Sequence, residues 1–127
     1  MKPFALAIID VETGRFADAA SSQRLVASMR EYLDGIASAE DLVTQTGPSE
    51  FGVFLAEAGK PDVERFIRCV IHTSELLAAA NLDSVELVVW VGVSRHAASE
   101  DTIDSLMTSA LSNRIQVCGP SYELLTA

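Results

Sequence analysis

The sequence predicts one α/β domain, of the α+β kind, in which a mixed central sheet of about five strands is flanked by helices. Two continuous apolar runs, residues 4–10 (FALAIID) and 85–93 (VELVVWVGV), have the composition of buried central strands. Apolar residues recur at helical spacing in three other segments. No linker or low-complexity tract interrupts the 127 residues, so 1–127 is interpreted as a single domain.

The first helix follows a turn-like segment. Residues 11–22 (VETGRFADAASS) separate it from the first strand, and Ser21 or Ser22 suits the N-cap position. The helix itself is predicted over 22–36. Its apolar face comprises Leu25, Val26, Met29, Leu33 and Ile36.

A β-hairpin is predicted next. Residues 42–46 and 51–56 alternate apolar and polar side chains, and the Gly47-Pro48 pair between them is a turn signal. The hairpin interrupts a β-α-β arrangement, which gives the element order β-α-β-β-α-β-α-β when the remaining segments are added.

Two helices and a strand complete the prediction. Pro61 suits the first position of the second helix, and Asp62 and Glu64 suit the positive end of its dipole. Ser99 is predicted to cap the third helix, and residues 114–118 (RIQVC) alternate like an edge strand. The predicted inward faces are Val63, Phe66, Ile67, Val70, Ile71, Ser74, Leu77 and Ala78 in the second helix, and Ile103, Leu106, Met107, Ala110 and Leu111 in the third.

Charge and composition exclude several classes of partner. Nine basic against 18 acidic residues give a net charge of −9, which argues against nucleic acid and anionic membranes as partners. No apolar run is long enough to span a bilayer. Cys69 and Cys118 are far apart and predict two reduced thiols in a cytoplasmic protein, and His72 and His96 have no second ligand at metal-binding spacing.

Three segments carry a resemblance to a known family. They are LAIID (6–10), EDLVTQTGPSEFGVFL (40–55) and VELVVWVGVS (85–94), in this order along the chain. Together they resemble the GGDEF domain of bacterial diguanylate cyclases, over about residues 4–118. The resemblance implies a palm-like fold shared with nucleotidyl cyclases and polymerases. In active members that fold joins two GTP molecules into cyclic di-GMP.

The signature turn of the family is altered in this sequence. Active members have Gly-Gly-Asp/Glu-Glu-Phe where this chain has Gly47, Pro48, Ser49, Glu50 and Phe51. The resemblance implies two carboxylates that hold Mg²⁺ on facing strands, at the positions of Asp10 and Ser49. Asp10 is then a vestigial ligand position, because the neutral hydroxyl of Ser49 is a poor Mg²⁺ ligand. Pro48 also removes a backbone N–H that could approach the phosphates.

Other parts of the family's machinery are missing. The guanine-binding Asp of the family aligns with Gln23, and the inhibitory Arg-x-x-Asp motif becomes Ser38-Ala39-Glu40-Asp41, a vestigial inhibitory site. The resemblance therefore implies no catalytic residues, metal or cofactor, and no binding of cyclic di-GMP at the inhibitory site. Asp10 is either a surviving metal ligand or a residual acid at a strand end. A rebuilt acidic site of Asp10, Glu12 and Glu50 is a further alternative.

The sequence thus predicts that the chain is not an enzyme. It predicts a catalytically inactive GGDEF-like domain that acts as a protein-interaction or regulatory module in bacterial signalling or localisation. The alternative is a regulatory sensor that binds GTP or cyclic di-GMP without cyclising it. The expected partner is another protein or a second copy of the chain, in contact with the 11–22 loop, the hairpin tip or both. The groove between Asp10 and the tip is expected to be shallower than an active site.

Overall fold

The computed structural model describes residues 4–13, 18–56, 58–79, 87–96 and 102–119. The strands are β1 (Ala5–Thr13), β2 (Leu42–Gln45), β3 (Glu50–Leu55), β4 (Leu87–Arg95) and β5 (Ile115–Cys118), and the helices are α1 (Ala19–Ile36), α2 (Lys60–Ala79) and α3 (Ile103–Ser112). The element order and the α+β fold class predicted from the sequence are confirmed.

The strands form one five-stranded sheet in the order β2-β3-β1-β4-β5. The prediction that β1 and β4 are interior strands and that β5 is an edge strand is confirmed. All four pairings are antiparallel, so the prediction of a mixed sheet is wrong in this respect. β1 and β2 run in the same direction, but they are not neighbours. β3, the second strand of the hairpin, lies between them and pairs antiparallel with both.

The two faces of the sheet are covered by different helices. Alternate β1 residues Ala5, Ala7, Ile9 and Val11 are at most 1% exposed and belong to the main core. That core includes Leu25, Met29 and Leu33 of α1 and Val63, Phe66, Val70 and Leu77 of α2. Its position shows that α1 and α2 cover this face, which leaves the other face for α3.

α3 packs directly against the backbone of β4. A Cβ added to Gly92 would lie 2.8 Å from the carbonyl carbon of Ala110, so only glycine allows this approach. Gly92 pairs with Ile8 of β1, whose side chain is fully buried. Leu106 and Ala110 are the buried residues of α3. Gly92 therefore fixes how closely α3 approaches the sheet.

β1 and α1 both extend into the segment predicted to be a turn. β1 continues to Thr13 because Val11, Glu12 and Thr13 pair with β4. α1 begins at Ala19, and its N-cap is Asp18, whose Oδ1 accepts a 2.7 Å hydrogen bond from the Ser21 N–H. The predicted caps Ser21 and Ser22 are therefore wrong, and both residues lie inside the helix.

The starts of α2 and α3 also differ from the prediction. α2 begins at Lys60, and the Asp62 carboxylate accepts a 3.0 Å bond from the Gly59 N–H. Pro61 is thus the second helical residue and not the first. α3 is capped by Thr102, whereas the predicted cap Ser99 lies outside the described residues.

The predicted apolar face of α3 is only partly correct. Leu106 and Ala110 are buried as expected, but Ile103 and Leu111 are 54% and 41% exposed. The α2 face is largely correct, although Ala78 is exposed. Of the helices described here, none has the length and hydropathy needed to cross a membrane.

Candidate functional site

The hairpin tip between β2 and β3 is held by backbone and side-chain bonds. The N–H groups of Thr46 and Gly47 both donate to the Glu50 carbonyl, at 2.8 and 3.3 Å. The Gln45 amide nitrogen donates to the carbonyls of Gly47, at 2.9 Å, and Pro48, at 3.3 Å. The Gln45 side chain of β2 thereby fixes the Gly47-Pro48 turn.

Asp10 and Ser49, the two positions predicted to face each other, are in contact. Asp10 pairs with Glu50 across the β1–β3 ladder, which places its neighbour Ser49 beside it. The Ser49 hydroxyl donates to Asp10 Oδ1 at 3.2 Å, and the Val11 N–H donates to the Ser49 carbonyl at 2.9 Å. The structure therefore joins β1 to the hairpin tip through a side-chain and a backbone hydrogen bond.

The second oxygen of Asp10 binds an arginine that the sequence prediction missed. Arg114, between α3 and β5, donates through Nη1 to Asp10 Oδ2 at 3.4 Å, and its guanidinium carbon lies 5.8 Å from the Trp90 ring centroid. The side chains of Asp10 and Arg114 are 15% and 35% exposed. Trp90 itself is half-buried.

The environment of Asp10 raises the pKa of its carboxyl above its ordinary value. The largest cause is burial, which disfavours the charged form, and the neighbouring carboxylates of Glu12 and Glu50 act in the same direction. The Ser49 hydrogen bond and the Arg114 guanidinium lower the pKa and offset part of this effect. Burial and the acidic neighbours thus destabilise the charged form of Asp10, and the Ser49 hydroxyl and the Arg114 guanidinium stabilise it.

The acids around Asp10 do not assemble into a metal centre. In the described part of the chain, no group of three or more His, Cys, Asp or Glu residues is placed to share a cation. The Glu50 carboxylate instead accepts a 2.9 Å bond from the Thr46 hydroxyl, and Glu12 is exposed. Within the described residues, Asp10, Glu12 and Glu50 are therefore not placed to hold a metal ion together.

A groove of about 540 Å³ lies between α1 and the hairpin tip. It is lined by Val11, Thr13, Ala19, Ser22, Gln23, Val26, Ala27, Gln45, Pro48 and Ser49. Gln23, at the predicted guanine position, lines it, whereas Asp10 does not. The side chains of Asp10 and Val11 point to opposite faces of the sheet, which separates the acid from this groove.

The segment predicted to be a vestigial inhibitory site, Ser38 to Asp41, forms a closed turn. The Asp41 carboxylate accepts 2.9 Å bonds from the backbone N–H groups of Ser38 and Ala56. A pocket of about 230 Å³ lies beside it and includes Arg65 of α2, a residue that sequence reasoning missed. Arg65 is 3.7 Å from the Asp62 carboxylate and largely exposed. Asp41 therefore has a structural role, because both carboxylate oxygens are bonded to the backbone.

The remaining candidate side chains have ordinary surroundings. Cys69 and Cys118 are free, half-buried thiols, as predicted. Burial, with a smaller effect from Glu75, raises the pKa of Cys118, so its reactive thiolate form is disfavoured. His96 stacks on Phe4 with ring centroids 4.6 Å apart.

Comparison with known proteins identifies the fold. No family model and no curated protein matches the sequence. Among solved structures, the DGC protein from Thermotoga maritima has a TM-score of 0.67 at 11% identity, over 87% of this chain and 76% of that one. The GGDEF domain of DgcB from Caulobacter crescentus, solved with c-di-GMP, has a TM-score of 0.70 at 13% identity, over 87% and 68%.

A third structure was solved with a protein partner. Diguanylate cyclase SiaD from Pseudomonas aeruginosa, in complex with its activator SiaC, has a TM-score of 0.68 at 20% identity. The match covers 89% of this chain but 48% of SiaD, so the chain spans about half the length of that protein. At these identities the likeness is one of fold, and the fold of this chain is that of the GGDEF domain.

Proposed function

We propose that this chain is a catalytically inactive GGDEF-like domain that acts as a protein-interaction module in bacterial cytoplasmic signalling. One observation carries the proposal. Both oxygens of the Asp10 carboxylate are bonded within the protein, one to the Ser49 hydroxyl and the other to the Arg114 guanidinium. Ser49 stands where the resemblance implies a second metal-binding carboxylate.

The chemistry of these partners opposes metal-dependent phosphoryl transfer. Mg²⁺ binds through carboxylates and phosphates, and it keeps its water ligands when few anionic oxygens are offered. Ser49 contributes no charge, and the Arg114 guanidinium is a donor without any lone pair for a metal ion. A divalent cation would have to displace Arg114 from a partly buried carboxylate without a second acid at position 49 to replace the lost contact. These features support an inactive domain.

The groove beside the tip gives less support to the sensor alternative. Of the residues that line it in the described part of the chain, none is Lys or Arg. A triphosphate needs cationic or backbone N–H donors, and Pro48 supplies no N–H at the turn. The lining chemistry therefore favours an uncharged occupant over GTP.

Two further observations favour a protein partner. SiaD, which has the same fold, has been solved in complex with its activator SiaC. The net charge of −9 makes two copies of this chain repel each other, and it favours a partner with a basic surface.

A cyclase assay tests the proposal. The purified chain is incubated with GTP and Mg²⁺ or Mn²⁺, and cyclic di-GMP is measured by chromatography with mass detection. We expect no product, with the active GGEEF domain of a diguanylate cyclase from Vibrio cholerae as the reference. The matched control is Asp10→Asn. Cyclic di-GMP that is made by the wild type and lost in this variant would refute the proposal.

A further inference from the structure

Half of the sheet face on which α3 lies is uncovered in the described part of the chain. Side chains of β1 alternate between the main core and this second face, which receives Leu6, Ile8 and Asp10. α3 packs on β4 and β1. Farther along the same face, Leu42 of β2 is 63% exposed and Thr44 is also exposed. Among the described elements, α3 therefore covers the β4–β1 half of the face and leaves the β2–β3 half open.

This open half, called here the open strip, is apolar at one end. It consists of the β2–β3 side chains that share the face, namely Leu42, Thr44, Thr46, Glu50 and Phe54. Leu42 pairs with Phe54, which is half-buried. The methyl groups of Thr44 and Thr46 lie over Gly52, at 3.6 and 3.3 Å from the place that a Cβ would take there. The strip thus offers apolar contact from Leu42 to its middle.

The end of the open strip at the hairpin tip is acidic. Glu50 lies opposite Asp10, and Glu12, two residues beyond Asp10 on β1, points to the same face. Both glutamates are close enough to raise the pKa of the Asp10 carboxyl. Arg114 forms an ion pair with Asp10, and β2 and β3 contain no Lys or Arg. Three carboxylates beside one guanidinium leave a local negative charge, which favours a basic group on an occupant.

The dimensions of the open strip fit one α-helix. Neighbouring strands are about 4.8 Å apart, so β2 and β3 present a surface about 10 Å wide, and a helix with its side chains is about 10–12 Å across. The six residues of β3 span about 20 Å, which is the length of a helix of about 13 residues. Two copies of the chain have the same negative charge at this surface, which disfavours self-association through it.

We propose that the open strip binds one amphipathic helix of a partner protein, beside α3. The apolar side chains of that helix contact Leu42 and Phe54, and its Lys or Arg side chains lie at the hairpin-tip end, against Glu50 and Glu12. The proposal rests on the proposed function, because it names the contact surface of the interaction module and the form and charge of its partner.

An NMR titration of the ¹⁵N-labelled chain with a model helix tests the proposal. The probe is acetyl-Lys-Lys-Ala-Leu-Lys-Ala-Leu-Leu-Ala-Ala-Leu-Gln-Gln-Leu-amide, which carries Leu on one helical face and Lys at one end. One comparison peptide has Glu in place of each Lys, and the other has Gln in place of each Leu. We expect the probe to shift amide resonances of β2 and β3, and its affinity to fall at about 0.5 M salt. Both comparison peptides should bind at least about tenfold more weakly.

Two matched pairs of variants locate the contact. Leu42 and Ile115 are exposed apolar residues on the two edge strands of the sheet. We expect Leu42→Lys to weaken probe binding at least about tenfold and Ile115→Lys to leave it unchanged, with dispersed spectra showing that both variants are folded. Glu50→Gln keeps an acceptor for the Thr46 hydroxyl and should weaken binding and its salt dependence. Glu75→Gln, at an exposed position of α2, should change neither.

Several outcomes would overturn the open-strip proposal. It is refuted if the probe causes no shifts, shifts only resonances outside β2 and β3, binds no better than either comparison peptide, or binds Leu42→Lys as well as the wild type. Sedimentation velocity of the chain alone adds one more test. A dimer that Leu42→Lys dissociates would show that a second copy occupies the strip, and a monomer is the expected result.

The cyclase assay on the same samples separates the two proposals. If the peptide fails and no cyclic di-GMP is made, the open-strip proposal alone is lost. If cyclic di-GMP is made by the wild type and lost in Asp10→Asn, the proposed function fails on its own evidence, whatever the peptide does.

Discussion

The contacts of the Asp10 carboxylate are the residue-scale basis of the proposed function. The sequence predicted that Asp10 and Ser49 face each other, because an acid at a strand end and a hairpin tip occupy known places in the family's pattern. It could not predict Arg114, which is 104 residues away from Asp10. The contact arises because β1, β4 and β5 are consecutive in the sheet, and only the folded chain shows this order.

A double variant should create a cation site where the ion pair now lies. Ser49→Asp adds the second carboxylate, and Arg114→Ala removes the competing guanidinium. We expect about 10 mM Mg²⁺ to raise the thermal unfolding midpoint of this double variant and to leave that of the wild type unchanged, because a ligand that binds only the native state stabilises it. Ser49→Asn with Arg114→Ala is the neutral control. An equal Mg²⁺ effect in the control or the wild type would contradict the prediction.

The raised pKa of Asp10 predicts how stability depends on pH. Folding favours the protonated carboxyl, so the stability that Asp10 contributes is present below its unfolded-state pKa, near 3.8, and is lost as the pH rises through the folded-state value. Asp10→Asn has no such titration. The free energy of unfolding of the wild type should therefore fall relative to that of Asp10→Asn as the pH rises from below 3.8 towards neutrality. Urea denaturation across this range measures the difference, and a constant or opposite trend would contradict it.

At the scale of elements, local patterns predicted which segments are helices and strands but not where they end. β1 continues to Thr13 because β4 provides a long partner, which local sequence does not reveal. The cap of α1 is Asp18 and not Ser21, since the helix begins earlier than its apolar face indicates. Ile103 and Leu111 have apolar spacing but are exposed, because α3 covers only part of its sheet face.

The close packing of α3 on β4 predicts a large effect of one methyl group. Gly92→Ala should lower the free energy of unfolding by about 1–3 kcal/mol, because the new Cβ overlaps the Ala110 carbonyl and α3 must move. Gly35→Ala is the matched control in α1, where an added Cβ meets nothing within 4 Å. It should raise stability by about 0.5–1 kcal/mol through helix propensity. Equal effects of both variants in urea denaturation would show that the packing is looser than described.

At the scale of the whole molecule, element order and charge were predictable and strand direction was not. The β-α-β-β-α-β-α-β order follows from apolar periodicity along the chain. The strand directions depend on the position of β3 between β1 and β2, and only the folded structure shows this position. The chain has 18 acidic and nine basic residues, and the resulting net negative charge affects the molecule as a whole.

This charge excess predicts a stabilising effect of salt. At pH 7, raising NaCl from about 0.02 to about 0.5 M should raise the thermal unfolding midpoint, because screening weakens the repulsion among the acidic side chains. Near the sequence pI of about 4.5 the net charge vanishes, so the same change in salt should have little effect. If the salt effect has the same size at both pH values, net charge is not its cause.

The central position of β1 also has a consequence for how the chain folds. β1 is made first during synthesis, yet its two partners are residues 50–55 and 87–95. One edge of β1 stays unpaired until residues 50–55 have been made, and the other until residues 87–95 have been made. Contacts so distant in sequence slow folding, because loop closure costs entropy before any pairing offsets it. During that interval β1 is an apolar strand whose unpaired edges can contact other nascent chains. We therefore expect residues 4–10 to determine how strongly folding of this chain requires chaperones.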